Sequence, residues 1–338
     1  MHNHSTAYRL SGNPGEEKAS GANVIVCVDD AGSTSKVVSH ARAIAGALDA
    51  EIMLVHVIEP QDSMSVPLDP VEWDLRRRRA HLVVSRLASE QGKGERSIAT
   101  RVLEGRFADQ ICGCVSGRPQ DIVALYRKKE NDQWRFGGTL HRILESNLGS
   151  ILLVPEEAAE LDAAGFRHIV VPLDGSPRAE SVIPVAVKIA QDQGAEMLLV
   201  HATPVPVLTT IGAPEPEDAA LRDQLQRRNE RVAREYLVRI GDRVKAVGLS
   251  VRILILKGGD VRRSLTRAIG DVTSALLVMS SHGTSGHGDV SSGDVAGFIL
   301  TRCSIPMLMI RRPEDYGVSH IHDEAESRGV RHPTGTGG

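Results

Sequence analysis

Residues 169–202 read "IVVPLDGSPRAESVIPVAVKIAQDQGAEMLLVHA", and this stretch predicts a strand, a helix and a second strand. The apolar, β-branched run over 168–173 is typical of a strand that is buried on both faces. Ser176 is a candidate helix N-cap, Pro177 suits the first helical turn, and we expect Pro184 to start or distort a later turn. A strand–helix–strand order indicates a parallel sheet with right-handed crossovers.

The same pattern occurs twice in the chain. The segment "ALDAEIMLVHVIEP" at 47–60 matches "DQGAEMLLVHATPV" at 192–205, an offset of 145 residues. Downstream, the segments 121–155 and 275–310 align at an offset of 156 residues. A repeat of this length indicates a duplicated domain rather than a solenoid, because solenoid repeats are far shorter.

Strands and helices continue to alternate through the second copy. The pattern predicts a long charged helix over 217–247, a strand over 250–256, a helix over 260–270, a strand over 275–280, a helix over 294–303 and a last strand over 306–311. We therefore predict an α/β fold of two tandem doubly wound domains, each a parallel sheet with helices on both faces. The predicted bounds are 22–155 for the first domain, 156–166 for a linker, 167–313 for the second domain, and 1–21 and 314–338 for disordered tails.

The composition argues against several classes of partner. The chain has 338 residues, a formal net charge of −3 and only 3% aromatic residues. It therefore lacks both the positive field that attracts nucleic acid or anionic membranes and the aromatic faces that stack single strands. No apolar stretch reaches the length of a signal-peptide core or a membrane span, so we expect a cytoplasmic protein.

Cysteines and arginines form two local motifs. The four cysteines, at positions 27, 112, 114 and 303, are too scattered for a disulfide framework, which favours a reducing compartment. The "CGC" at 112–114 lacks a second Cys or His pair at metal-binding spacing, so it is interpreted as helix packing. The run Arg76–Arg79 predicts a solvated helix face, with a nucleic-acid or protein partner site as the alternative.

At "VVPLDGSPRAE" (170–180), "LLVHA" (198–202) and "VMSSHGTSGHGDVSSGD" (278–294) the chain resembles the universal stress protein family. ATP-binding members of that family carry Gly, two residues, Gly, nine residues, then Gly followed by Ser or Thr. Here the positions are taken by Ser280, Gly283, Gly293 and Asp294, so the spacing fits and two residue types differ. The resemblance covers both copies and implies a tandem member with a five-stranded parallel sheet in each domain.

The resemblance implies an adenine-nucleotide site in the second domain, with ATP as the ligand and Mg²⁺ as a candidate ion. The residues carried over by position are Pro172, Asp174, Ala202, Met279, Ser280, His282, Gly283, Gly293, Asp294 and Val295. Pro172 and Ala202 would line the adenine with Met279 near the base, and Asp174 would face the ribose or the metal. Gly283, Gly293 and Val295 would surround the phosphates. His282 is interpreted as a binding or structural residue, because no nucleophile and orienting acid accompany it.

The glycine-rich segment also has a physical interpretation. In a parallel sheet, ligands bind beyond the carboxyl ends of the strands, and glycines allow the backbone to approach phosphate oxygens. A helix that begins near 294 directs its orphan N–H groups and positive end at the same place. The segment therefore predicts a phosphate cradle.

Two substitutions weaken this interpretation. Ser280 adds a Cβ where the family has glycine, and Asp294 replaces a hydroxyl residue. A carboxylate about 4 Å from a phosphate charge is repelled by roughly 4 kcal/mol at an effective dielectric near 20. Three interpretations of Asp294 stay open: it repels the phosphate, it shares Mg²⁺ with the phosphate, or it caps the following helix and fills the anion site.

The first copy departs further from the pattern. At the offset of 156, the run 124–127 ("ALYR") stands opposite Ser280–Gly283, and "KKENDQW" replaces the small polar residues. Asp29 is retained opposite Asp174, together with a short remnant formed by Gly137, Gly138 and Thr139. Such bulky side chains predict a degenerate nucleotide site. Arg127, Lys128 and Lys129 are expected to be solvated or to bind another anion.

Three functions are consistent with these observations. The first is a stress-response regulator that binds an adenine nucleotide, and the second is a scaffold that binds an unknown protein partner and no nucleotide. The third is a slow ATPase, for which no water-positioning residue can be named. Family members pair through their final strands, which implies that "SILLVP" (150–155) and "PMLMIR" (306–311) pair within one chain or in a homodimer.

Overall fold

The computed structural model describes most of the two copies. The described residues are 22–28, 34–60, 69–91, 98–115, 118, 120–128, 149–162, 164–206, 216–281 and 294–311. The tails predicted at 1–21 and 314–338 lie outside the described residues, as does most of the glycine-rich segment.

The first half of the chain alternates strands and helices. Its described elements are β1 (Asn23–Val28), α1 (Thr34–Leu48), β2 (Glu51–Ile58), α2 (Pro70–Gln91), β3 (Ile98–Glu104), α3 (Phe107–Val115), β4 (Ile122–Arg127) and β5 (Ser150–Pro155). The strands β1, β4 and β5 are almost entirely buried and mostly apolar, as expected for strands covered on both faces.

The second half repeats this order. Its described elements are β6 (His168–Pro172), α4 (Pro177–Glu180), α5 (Ile183–Gln193), β7 (Glu196–Thr203), α6 (Pro216–Ala246), β8 (Val251–Lys257), α7 (Val261–Gly270), β9 (Ala275–Ser280), α8 (Asp294–Arg302) and β10 (Met307–Ile310). These bounds confirm the predicted strands of this half and its last three predicted helices to within two residues.

Local residue chemistry explains how the second half begins. Ser176 is the N-cap of α4, and its Oγ accepts a hydrogen bond from the N–H of Ala179 at 3.1 Å. Pro177 follows in the first turn. Pro184 lies in the first turn of α5, which confirms the expectation that it starts a turn, and the predicted helix is thereby divided into two. The break follows from proline's missing N–H, which is tolerated only where a helix starts.

The ten strands that the structure describes form one continuous sheet rather than two separate ones. The strand order is β3-β2-β1-β4-β5-β10-β9-β6-β7-β8. Strands are parallel within each half, and β5 and β10 pair antiparallel at the centre, with Leu152 opposite Leu308. The intramolecular pairing expected for the final strands is therefore present, and each of these strands covers the edge of the other.

Helices cover both faces of the sheet, and each face has one hydrophobic core that includes residues from both halves. The first core contains α1, α5 and the buried side of α6, and the second contains α3, α7 and α8. Helices α1 and α5 pack against each other across the junction. The predicted linker also contributes, because Phe166 is 1% exposed and the N–H of Leu161 donates to Ser39 Oγ at 3.1 Å.

The structure shows which groups the two local motifs contact. Three of the four arginines in the run on α2 form ion pairs with nearby carboxylates: Arg76 with Glu72, Arg77 with Glu104 and Arg78 with Asp74. The pairs are substantially exposed, so each contributes little to stability. Cys112 and Cys114 are half-buried on α3 and pack against the second core, which confirms helix packing.

Candidate functional site

The strand order of each half places a crevice between its first and fourth strands. In the second half, β6 has β7 on one side and β9 on the other, so the chain connections diverge at the carboxyl ends of β6 and β9. Ligands of doubly wound folds bind at such switch points. Asp174 follows β6 and Ser280 ends β9, so these two sequence-predicted residues lie at the same edge of the sheet, and α8 begins at Asp294.

Asp174 is held by the turn that leads into α4. Its Oδ1 accepts hydrogen bonds from the N–H of Ser176 at 2.9 Å and from Ser176 Oγ at 2.6 Å. Gly175 has a φ of +83°, a left-handed conformation that side chains rarely adopt. The turn thus fixes an exposed carboxylate at the strand end, where it can accept from hydroxyls or bind a hard cation.

His201 ties the ends of β6 and β7 together. Its Nδ1 donates to the carbonyl oxygen of Leu173 at 2.7 Å, and His56 makes the equivalent bond to Val28 at 3.1 Å in the first half. Because Nδ1–H is used, Nε2 of a neutral ring is left as an acceptor. This residue was missed as a site residue, although its recurrence in both copies of the repeat was the available signal.

Several sequence-predicted residues lie on one face of the sheet. Met279 is 8% exposed in the second core, and Ala202 and Val295 are half-buried against the same core. Pro172 and Ser280 are half-buried at the ends of their strands. Met279, Ala202 and Val295 therefore pack on the same face of the sheet, and Pro172 and Ser280 lie at the ends of neighbouring strands.

A cleft of about 450 Å³ adjoins Asp174 on the opposite face. Thr203 lines its sheet side, and Arg228, Tyr236 and Arg239 line its helix side on α6. The Arg239 guanidinium lies 5.7 Å from the centre of the Tyr236 ring. Burial, together with the carboxylates of Glu180 and Asp174, raises the pKa of Tyr236, so its hydroxyl stays protonated.

The cleft residues of α6 were not predicted from the sequence. Arg228, Val232, Tyr236 and Arg239 recur at intervals of three or four residues, which places them on one side of a helix. In a helix with this many charged residues, the pattern was masked by the arginines on the other sides.

The remaining predicted residues cannot be placed. His282, Gly283 and Gly293 lie outside the described residues, as do Asp29, Gly137, Gly138 and Thr139 of the first half. Asp294 is the first residue of α8. Among the described residues, no group of three or more His, Cys, Asp or Glu side chains is arranged to hold a metal ion.

The strand pairing corrects the alignment of the two halves. Ile122 of β4 pairs with Val24, and Leu276 of β9 pairs with Ile169, the residue that corresponds to Val24. The offset at this strand is therefore 154 residues, not 156. Consequently Arg127 corresponds to Ser281, and Tyr126 corresponds to Ser280. The offset becomes 156 only at β5 and β10 because the second half has two more residues between these strands.

Arg127 is buried, so the expectation that it is solvated or binds a free anion is wrong. It is 5% exposed, and its two terminal nitrogens donate to the carbonyl oxygens of Leu300 and Cys303 at the end of α8. Burial lowers the pKa of Arg127 to about 10, which still leaves the guanidinium charged at neutral pH. Lys128 is exposed as expected, and Lys129 lies outside the described residues.

The two copies form one continuous doubly wound α/β sheet, and each copy has a switch point between its first and fourth strands. The sequence profile of the universal stress protein family matches the chain twice, over residues 22–155 and 165–311. The chain belongs to the universal stress protein family as a tandem member. In the part of the chain that the structure describes, no helix combines the length and apolar character needed to cross a membrane.

Known relatives agree with this assignment. A curated protein from Thermus aquaticus, described as a universal stress protein in the QAH/OAS sulfhydrylase 3' region, is 32% identical over 152 residues, which cover 43% of this chain and 99% of the relative. A universal stress protein from Archaeoglobus fulgidus superposes with a TM-score of 0.59 at 13% identity, covering 86% of this chain and 98% of that one. A putative universal stress protein from Pseudomonas aeruginosa gives a TM-score of 0.54 at 14% identity, covering 88% and 94%. At this identity the two structures show the shared fold.

Proposed function

We propose that this chain is a cytoplasmic stress-response regulator whose second half binds an adenine nucleotide such as ATP. The observation that supports this proposal is the order of three groups around one switch point of the sheet. Asp174 follows β6, Ser280 ends β9, and the N-terminus of α8 follows the glycine-rich segment. Exposed N–H groups at a helix start favour phosphate, and the Asp174 carboxylate suits a ribose hydroxyl.

A magnesium ion fits the same proposal. Mg²⁺ prefers oxygen ligands and is commonly held by one or two carboxylates together with substrate phosphates. Asp174 supplies one such carboxylate, and Asp294 would supply a second under the interpretation in which it shares the ion. The ion would add positive charge beside the phosphates and remove the repulsion expected from Asp294.

The first half has a different proposed role. Tyr126 and Arg127 occupy the strand-end positions that correspond to Ser280 and Ser281. The Arg127 guanidinium donates to carbonyl oxygens of the second half. We propose that the first half is a structural partner without a nucleotide of its own. A scaffold function for the whole chain, without any nucleotide, is the second candidate, and these same substitutions favour it.

Calorimetric titration with ATP, ADP, AMP and adenosine, with and without Mg²⁺, tests the proposal. We expect one nucleotide per chain. Asp174→Asn keeps an oxygen for Ser176 but removes the charge, and should weaken ATP binding about tenfold, since a hydrogen bond to a charged group contributes about 1.5–3 kcal/mol. Asp29→Asn is the matched control in the first half and should have no effect. Absence of any nucleotide binding by the wild-type protein would leave the scaffold function.

The same titration separates the interpretations of Asp294. If its carboxylate repels the phosphate or fills the anion site, Asp294→Ser should tighten ATP binding without Mg²⁺. If the carboxylate shares the ion, the substitution should weaken binding of the Mg²⁺ complex. An unchanged affinity in both conditions would contradict all three interpretations.

A further inference from the structure

Arg127 connects the first half to one particular helix of the second half. It is the last residue of β4, and its guanidinium donates to the carbonyl oxygens of Leu300 and Cys303. These two residues are at the C-terminal end of α8, where carbonyl groups have no partner within the helix. A planar guanidinium with several donors can satisfy two carbonyls at once, which an ammonium group does less well.

Helix α8 leads directly from the glycine-rich segment. It runs from Asp294 to Arg302, so its nine residues span about 13 Å from the predicted phosphate site to the carbonyls that Arg127 holds. A cation at the C-terminus of a helix interacts favourably with the helix dipole, as an anion does at the N-terminus. The two ends of α8 thus offer complementary interactions, one with the first half and one with the nucleotide.

We propose that Arg127 is a positioning residue for the phosphate-binding part of the second half's nucleotide site. By fixing the end of α8 against the first half, it holds the start of the helix and its N–H groups where the phosphates bind. The proposal rests on the proposed nucleotide-binding function. It assigns to the first half a contribution to ligand binding through α8, although Arg127 itself does not touch the ligand.

The expected effect depends on the phosphates of the ligand. ATP contacts the start of α8 through its phosphates, whereas adenosine has none. Arg127→Met should therefore weaken ATP binding at least about fivefold, the lower end of typical coupling between sites, and leave the affinity for adenosine unchanged. Arg127→Lys retains the charge and part of the donor set, so it should restore part of the ATP affinity.

Leu152→Ala is the control for general loosening of the junction. Leu152 lies within β5 opposite Leu308 of β10, and it is fully buried. Its side chain belongs to the first core, whereas α8 packs in the second core. We expect its substitution to destabilise the protein without changing the ratio of ATP to adenosine affinity.

The outcomes are distinguishable by calorimetry. If wild-type protein binds no nucleotide, the proposed function fails and this inference fails with it. The wild type could bind ATP while Arg127→Met lowers the affinities for ATP and adenosine equally or leaves both unchanged. In that case only the positioning role of Arg127 is overturned. The same change of ratio in Leu152→Ala would also overturn it, because general loosening of the junction would then be enough to explain the effect.

Hydrogen exchange on the wild-type protein provides a measurement that needs no variant. Binding of ATP should slow amide exchange at the C-terminal end of α8 and at residues 122–128 of the first half. Adenosine should not produce this protection. Protection by ATP that is confined to residues before 298 would contradict coupling through Arg127, even if Arg127→Met fails to fold.

Discussion

The ends of β4 and β9 are the most informative comparison in the molecule. The strand pairing makes them equivalent, yet β4 ends in Tyr126 and Arg127, whereas β9 leads into Ser280 and Ser281. Small residues leave backbone accessible to a ligand, while the long guanidinium reaches the other half and satisfies two helix carbonyls. The same backbone position thus joins the two halves in the first copy, and under the proposed function it would give a ligand access to the backbone in the second.

The largest expected effect concerns the strand pair that joins the halves. Leu152 and Leu308 lie opposite each other in β5 and β10, and both are fully buried. Leu152→Ala and Leu308→Ala should each reduce the free energy of unfolding by about 2–5 kcal/mol, because each removes buried methyl groups and leaves a cavity. Urea unfolding followed by circular dichroism measures both.

The cooperativity of unfolding shows whether the two halves unfold as one unit or as two. Since both cores extend across the junction, we expect a single unfolding transition that shifts in both leucine variants. Two transitions, of which only one moves in each variant, would show that the halves fold independently.

The second prediction addresses the equivalent strand ends. Arg127→Met should cost about 1–3 kcal/mol, because the carbonyls of Leu300 and Cys303 lose their donor while they stay buried. Ser281→Ala should cost about 1 kcal/mol or less, since a hydroxyl makes only a neutral hydrogen bond. Chemical denaturation compares the two variants. Equal losses in the free energy of unfolding would contradict the different roles inferred for the ends of β4 and β9.

The third prediction concerns what the halves share. His56 and His201 make the same ring-to-carbonyl bond in the two copies. His56→Phe and His201→Phe should each lower stability by about 1 kcal/mol, the usual net contribution of one hydrogen bond. A much larger cost for His201, measured by the same denaturation, would indicate that the cleft beside Tyr236 adds a further interaction.

The smallest effect is a pH dependence carried by the first half. His40 on α1 is 2% exposed and lies 5.7 Å from the ring of Phe166, and burial lowers its pKa below 6.5. As the pH falls, His40 is therefore protonated at a higher pH in the unfolded chain than in the folded one. The stability present above pH 6.5 is lost as the pH falls below that value. His40→Gln should flatten the stability profile below pH 6.5.

The second half has no titratable side chain at the equivalent position. The position that corresponds to His40 at the offset of 145 is Val185, which is also fully buried but cannot titrate. Denaturation midpoints at pH 5.0 and 7.5 should differ less in His40→Gln than in the wild type. An unchanged difference would show that other groups carry the acid sensitivity.

Much of the fold was predictable because its signals are local. Apolar runs, the Ser176 cap and the prolines identified the elements of the second half, and the repeat extended them to the first. The register of β4 was wrong by two residues for a physical reason. Side chains of a strand alternate between the two faces of the sheet. A slip of two residues therefore keeps Ile122 and Ala124 on their correct face, and the alternation of apolar residues does not reveal it.

The role of Arg127 was not predictable for a different reason. Its partners lie on α8, more than 170 residues later in the sequence, and they are backbone carbonyls, which no residue type marks. An arginine followed by two lysines at a strand end is typical of a solvated loop. Only the pairing of β5 with β10, which brings α8 beside β4, turns this position into an interior one.

The antiparallel contact between β5 and β10 also determines how this molecule responds to dilution. Both strands belong to one polypeptide, so their effective local concentration is set by the connecting chain and not by the amount of protein in solution. The paired sheet should thus persist at concentrations where two separate copies would part. Among the described elements, the outer strands β3 and β8 and the helical surfaces are left for larger assemblies.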